Sequence, residues 1–238
     1  MACSLRISLS AALAAAVFIP AFGQPARAQQ QRAVQLGGGQ SVLIVPRKPR
    51  ASIILMPGGA GYIGATASGE ITSARGNQLV RTRMAYVRRG LAVLVLDASS
   101  SLAAGVAHMR RIKSPVTVVA TSRGTLRAAY GLNAGARPDR LVLTSGFLTA
   151  ESGSNENVAS ILGSPSRLPR MLVIHHRSDA CRVTLPAGVD PFLRWARGRA
   201  RAKWLSGGRD SGRACGARAY HGFNGLDGTV VSIAAGFR

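Results

Sequence analysis

The chain has 238 residues, 47% of them hydrophobic, and carries a formal net charge of +22. That length and apolar content suffice for one domain with a sizeable core. The charge predicts weak binding to polyanions. Scattered arginines, no long basic tail and only 5% aromatic residues argue against a base-stacking nucleic-acid platform.

Residues 1–28 read as a secretory signal. Arg6 gives a positive start, LSAALAAAVFIPAF is too short an apolar stretch for a membrane span, and Ala26-Arg27-Ala28 offers a cleavage site before Gln29. An uncleaved anchor is the alternative. No later segment is apolar for long enough to span a bilayer, so residues 29–238 are expected to form a single exported domain, secreted or periplasmic. It keeps Cys181 and Cys215, 34 residues apart. An even pair in an exported protein predicts a disulfide, with a loop closure worth roughly 3–4 kcal/mol.

AVQLGGGQSVLIVP (33–46) predicts a hairpin around Gly37-Gly38-Gly39. ASIILMP (51–57) is a continuous apolar run, the mark of a strand covered on both faces. A glycine-rich loop follows, then a helix over 77–90 ended by Gly90. The alternation continues with a strand (91–97), a serine-capped helix (99–113), a strand (116–121) and a helix after Ser122. Strands are expected at 139–146 and 170–176, a helix at 191–199, a short strand at 202–208 and a closing helix at 225–237. Buried strands alternating with helices predict an α/β doubly wound, mostly parallel sheet of about eight strands.

One corner stands out. In VTVVATSRGTL the strand stops at Thr121, Ser122 follows, and a helix begins. Ligands bind at the carboxyl ends of strands in such sheets. A sharp strand-to-helix turn there lifts a serine Oγ above the sheet edge and tolerates only small residues two places either side, here Ala120 and Gly124. Ser122 is therefore a candidate nucleophile; the plainer reading is a helix cap.

A serine hydroxyl needs a base, and the base needs an orienting carboxylate. The histidines are His108, His175, His176 and His221. His108 sits among helix residues Met109, Arg110 and Arg111, a surface setting. His175 and His176 end a strand and point to opposite faces. His221 lies in a loop between the last strand and the last helix, where a side chain can hang over the sheet edge. Among the nine carboxylates, Asp97 precedes the serine, and Asp179 follows a strand downstream of it. Asp179 is the candidate acid, or else a turn residue pairing with Arg177 or Arg182; Asp190 and Asp210 are weaker candidates. A Cys181–Cys215 bridge would tie the acid's loop to the histidine's.

With ATSRG, HHRSDAC, YHGFNGLD and the glycine loop PGGAGY in the order nucleophile, acid, histidine, the chain resembles the α/β-hydrolase fold family over essentially all of residues 29–238. Alanine stands where that family's elbow usually has its first glycine. The resemblance implies a serine hydrolase, an esterase acting on a small-molecule ester or similar acyl substrate. Ser122 would attack the carbonyl, His221 would move the proton and Asp179 would hold the ring. It also implies an oxyanion hole from the Arg123 N–H and a loop N–H at Gly59 or Ala60. It calls for no cofactor and no metal. The family's helical cap does not fit between Gly146 and Arg170, so an open, shallow site is expected. Arg123, beside the serine, would favour an anionic substrate group.

Two rivals stand beside this reading. Gly59-Ala60-Gly61-Tyr62-Ile63-Gly64 matches the Gly-x-Gly-x-x-Gly pattern of dinucleotide-binding oxidoreductases. That pattern wants an acidic residue about 20 positions on; Asp97 comes 38 after Gly59, and Glu70 is too near. The second rival is a non-catalytic basic domain on a hydrolase-like fold that binds acidic polymers.

Overall fold

The structure is a computed structural model that describes Met1 and residues 30–238. Apart from Met1, the expected signal lies outside the described residues. Among the described residues no helix is long and apolar enough to cross a membrane.

Strands β1 (Gln30–Leu36) and β2 (Gly39–Val45) form the expected hairpin, turning on Gly37 at φ +70°. β3 (Ala51–Met56), β4 (Leu91–Val95), β5 (Val116–Thr121), β6 (Arg140–Thr144), β7 (Arg170–His176) and β8 (Ala200–Leu205) complete one eight-stranded sheet in the order β1-β2-β4-β3-β5-β6-β7-β8. The β1–β2 and β2–β4 pairs are antiparallel and the rest parallel. Every residue of β4 and β5 is buried, as in strands covered on both faces of a parallel sheet.

Two helices cover one face, α1 (Gln78–Arg88) and α6 (Asp227–Gly236), packing Leu79, Val80, Val87, Val230 and Val231 on Ile53, Leu55 and Val93. The other face carries α2 (Leu102–Ile112), α3 (Gly124–Asn133), α4 (Val158–Leu162) and α5 (Val189–Trp195), with Val106, Met109, Leu132 and Phe192 over Ile54, Val118 and Leu143. A buried leucine- or phenylalanine-sized side chain contributes about 1.5–3 kcal/mol, so these two layers hold the sheet rigid beneath the site.

Two expectations shift in detail. The helix expected at 191–199 occupies Val189–Trp195, because Arg197 at φ +48° and Gly198 at φ +80° turn the chain directly into β8. That strand ends at Leu205, before Gly207 and Gly208, both at positive φ. Between β6 and β7 the chain forms short 3-10 turns and α4, whose N-cap Asn157 accepts from Ser160 N–H at 2.9 Å. Asn133 donates to Ile161 O, holding α4 against α3, and no separate cap layer is built.

Candidate active site

β5 delivers Ser122 at φ +52°, a left-handed conformation that a non-glycine residue adopts at a cost of about 1–3 kcal/mol. The neighbouring strand pins this corner: Ser122 N–H donates to Thr144 O at 3.0 Å. A Cβ at Gly124 would run into the carbonyl oxygens of Met56 and Pro57, so the helix passes this close to β3 only because position 124 is bare. The helix-cap alternative fails, since α3 is entered through Arg123 with no side-chain cap. The Ser122 hydroxyl is free for other work.

The carboxyl end of β7 supplies the acid. Asp179 is buried and pairs with neither Arg177 nor Arg182. Its Oδ1 accepts Cys181 N–H at 3.0 Å, and its Oδ2 accepts the Thr184 hydroxyl at 3.3 Å. The same Oδ2 lies 3.0 Å from His221 Nδ1. A proton on Nδ1 therefore points at the carboxylate and leaves Nε2 as the basic nitrogen. Thr184 Oγ1 also stands 3.0 Å from His221 Nδ1, so its hydroxyl braces the junction.

His221 sits in the one-turn 3-10 helix Tyr220–Gly222, beyond β8. Four contacts hold that turn. Ser145, at φ +42° just past β6, donates its hydroxyl to His221 O at 2.8 Å. Tyr220 stacks on His176 with ring centroids 4.3 Å apart. Cys181 and Cys215 form the expected disulfide, joining the acid's loop to the histidine's. Arg81, on α1, forks onto the Asp227 carboxylate at 2.8–2.9 Å and donates to Gly222 O at 2.7 Å and Ala217 O at 3.3 Å.

Ser122 and His221 line one cleft of about 60 Å³ together with Gly58, Gly59, Asn77, Gln78, Thr121, Cys215, Gly216, Ala217 and Gly222. Of the expected hole residues, Gly59 is in that lining, Ala60 is exposed outside it, and Arg123 follows the serine at the start of α3 with its side chain exposed. Arg127, one helical turn on, donates to Pro57 O and, at 3.1 Å, to Gly59 O, tying the glycine loop to α3.

The remaining histidines and Asp97 have other settings. His108 is half-buried on α2 rather than a surface residue. His176 is fixed by Ser178 N–H on Nδ1 at 3.1 Å and by Gly207 O near Nε2 at 2.9 Å. His175 is fully buried against Trp204, with Nε2 3.5 Å from Asp179 Oδ2. Asp97 accepts from Ile63 N–H at 2.9 Å and from the Ser99 N–H and hydroxyl, and so fastens the glycine loop. The dinucleotide pattern fails on structure as well as spacing. Its glycines must open directly into a helix, whereas Gly64 leads to a bridge between Ala65 and Ile71, and α1 begins only at Gln78.

Burial lowers the His175 pKa from 6.5 to about 4, outweighing the nearby Asp179 carboxylate, which raises it; Thr184, His221 and His176 also face the ring. A group depressed on folding adds stability that is fully present above its unfolded value and is lost as pH falls through its folded one. Between pH 6.5 and about 4 the protein is expected to lose roughly 3 kcal/mol from this ring. Denaturant melts across that range should show a shallower acid limb in His175→Gln than in wild type, whatever the variant's absolute stability. Equal slopes would refute the assignment.

Thr184, Ser145, Arg81 and Arg127 were not singled out by sequence. Only Ser145 leaves a trace: Thr144-Ser145 ends β6 as Thr121-Ser122 ends β5, and Thr121 and Thr144 are register partners.

No family model and no curated protein matches the chain. Solved structures do, at low identity. A dienelactone hydrolase from Anabaena variabilis is 13% identical and superposes with a TM-score of 0.58 over 87% of this chain and 95% of its own. An esterase domain from a Rhodothermus marinus protein is 12% identical, TM-score 0.56, over 87% and 98%. An α/β serine hydrolase without lid from Xanthomonas campestris is 13% identical, TM-score 0.54, over 88% and 97%. The chain thus has the α/β-hydrolase fold, as the sequence resemblance implied.

Proposed function

We propose that the protein is a serine hydrolase that cleaves esters of small acyl groups through an acyl-enzyme. Ser122 is the nucleophile, His221 the base and then the acid, and Asp179 the carboxylate that holds the ring. The observation that carries this reading is the 3.0 Å bond from His221 Nδ1 to Asp179 Oδ2, on a ring that shares its cleft with Ser122. In the first half-reaction Ser122 Oγ bonds to the ester carbon, its proton passes to His221 Nε2, and the carbonyl π pair moves onto oxygen. Collapse of that adduct expels the alkoxide, which takes the proton from Nε2. Water repeats the sequence on the acyl-serine. The Arg123 and Gly59 N–H groups receive the oxyanion, each such donor being worth about 3 kcal/mol in the transition state.

The cleft's small volume supports short acyl chains, with the alcohol portion left in solvent. Arg123 does not line it, which gives the expected preference for an anionic group no support. The Cys181–Cys215 bridge and the Ala26-Arg27-Ala28 site support an exported protein.

A fluorophosphonate probe tests the reading. The expected result is a covalent adduct on the peptide carrying Ser122, with turnover of p-nitrophenyl acetate that falls as the acyl chain lengthens. Absence of both, accompanied by salt-sensitive retention on heparin, would replace this reading with the polyanion-binding one.

A further inference from the structure

Two consecutive amides, Asn77 and Gln78, line the cleft with Ser122 where α1 begins. Asn77 is the N-cap: its Oδ1 accepts Leu79 N–H at 3.1 Å. That bond settles the amide's orientation, because the oxygen is committed to the helix and the NH2 group must face the other way. Asn77 belongs to the cleft lining, and its Nδ2 stands near Gly58, another lining residue. A Cβ built on Gly58 would lie 3.5 Å from Asn77 Nδ2 and 2.9 Å from Ser122 Cβ, so the serine and the amide both border the bare backbone at Gly58.

Gln78 adds an independent sign that the wall is built for a polar occupant. It is 2% exposed, and neither its Nε2 nor its Oε1 has a hydrogen-bond partner in the protein. Buried amides left in this way cost about 1–3 kcal/mol each, and natural folds rarely carry them without a use. The positive end of the 11-residue α1 opens at the same place, which further favours negative charge there.

We propose that Asn77 is a catalytic residue: its Nδ2–H donates to the oxyanion, a side-chain donor beside the backbone N–H groups of Arg123 and Gly59. The proposal rests on the serine-hydrolase reading. As Ser122 Oγ bonds to the carbonyl carbon and its proton moves to His221, the π pair arriving on oxygen meets a preorganised NH2 that the ground-state ester engages more weakly. The cap bond to Leu79 is what preorganises it, so the helix start and the anion site are one device.

Steady-state kinetics of the full chain on p-nitrophenyl acetate test this with Asn77→Ser and Asn77→Asp. Both replacements are good N-caps and keep an acceptor for Leu79 N–H, but neither side chain carries an amide donor. Serine is expected to lower kcat by ~10²-fold with KM changed less than about threefold and Tm close to wild type; aspartate, which sets a negative charge against the oxyanion, should fall further. A kcat for Asn77→Ser within about threefold of wild type, with Tm retained, overturns the proposal while the hydrolase reading stands. A wild type that neither turns over nor labels at Ser122 overturns both. A drop in Tm with kcat and KM unaffected at a temperature well below it would assign Asn77 to capping alone.

Discussion

Ser122→Ala is expected to lower kcat by about 10⁶-fold and to abolish fluorophosphonate labelling, while Tm stays within about 3 °C of wild type. The two halves of that result have separate causes. Chemistry goes because the neighbouring hydroxyls cannot stand in: Thr125 donates to Ser122 O, Thr121 is a buried strand residue, and Ser145, at the next corner, is spent on His221 O. Stability stays because the Ser122 hydroxyl caps nothing and the corner's anchoring bond, to Thr144 O, is made by its backbone. Alanine also pays the same conformational cost at φ +52°. An active Ser122→Ala protein would end the nucleophile assignment.

Asp179→Asn should reduce kcat by about 10⁴-fold with the fold intact. The hydrogen bonds around the carboxylate say why. Cys181 N–H donates to Oδ1, so an asparagine here places its carbonyl oxygen at that position. Its NH2 then occupies the position of Oδ2, facing His221 Nδ1 and the Thr184 hydroxyl. Nδ1 must now accept rather than donate. The ring's proton moves to Nε2, the nitrogen that has to take the serine's proton. The proposed base is then present but in the wrong tautomer. Activity in Asp179→Asn should recover at high pH, where hydroxide replaces the missing base, and a pH–kcat profile parallel to wild type would contradict this account.

Much of the molecule is legible in the primary structure because its strands are covered on both faces. Val116–Thr121 and Arg170–His176 match the expected strands residue for residue, since short apolar or β-branched runs bounded by proline and polar turns leave few alternatives. The proposed acid and histidine follow from chain order and scarcity, with few histidines and carboxylates to choose among, and the fold brings those two side chains together. What does not show is everything that depends on side chains meeting across long separations. Arg81 is 146 positions from Asp227, and Arg127 is 70 from Pro57. In a sequence this rich in arginine nothing marks these two as different from their neighbours. Thr184 is close to Asp179 in sequence, but its use depends on a turn that only the folded loop creates. Asn77 reads as an ordinary helix start; that its free amide faces a cleft requires Gly58 to be brought beside it.

Arg127 has a consequence for how the protein fluctuates. It reaches from the helix behind the serine to the glycine loop, so the proposed nucleophile and anion pocket ride on one frame. The proposed acid and imidazole ride on another, stapled by sulfur, and Arg81 is the rivet that ties the histidine's turn to α1. An excursion that parts the frames leaves the anion pocket whole and carries off the proton acceptor. Loosening the rivet should therefore slow turnover in proportion to the time spent apart, while ester affinity hardly changes.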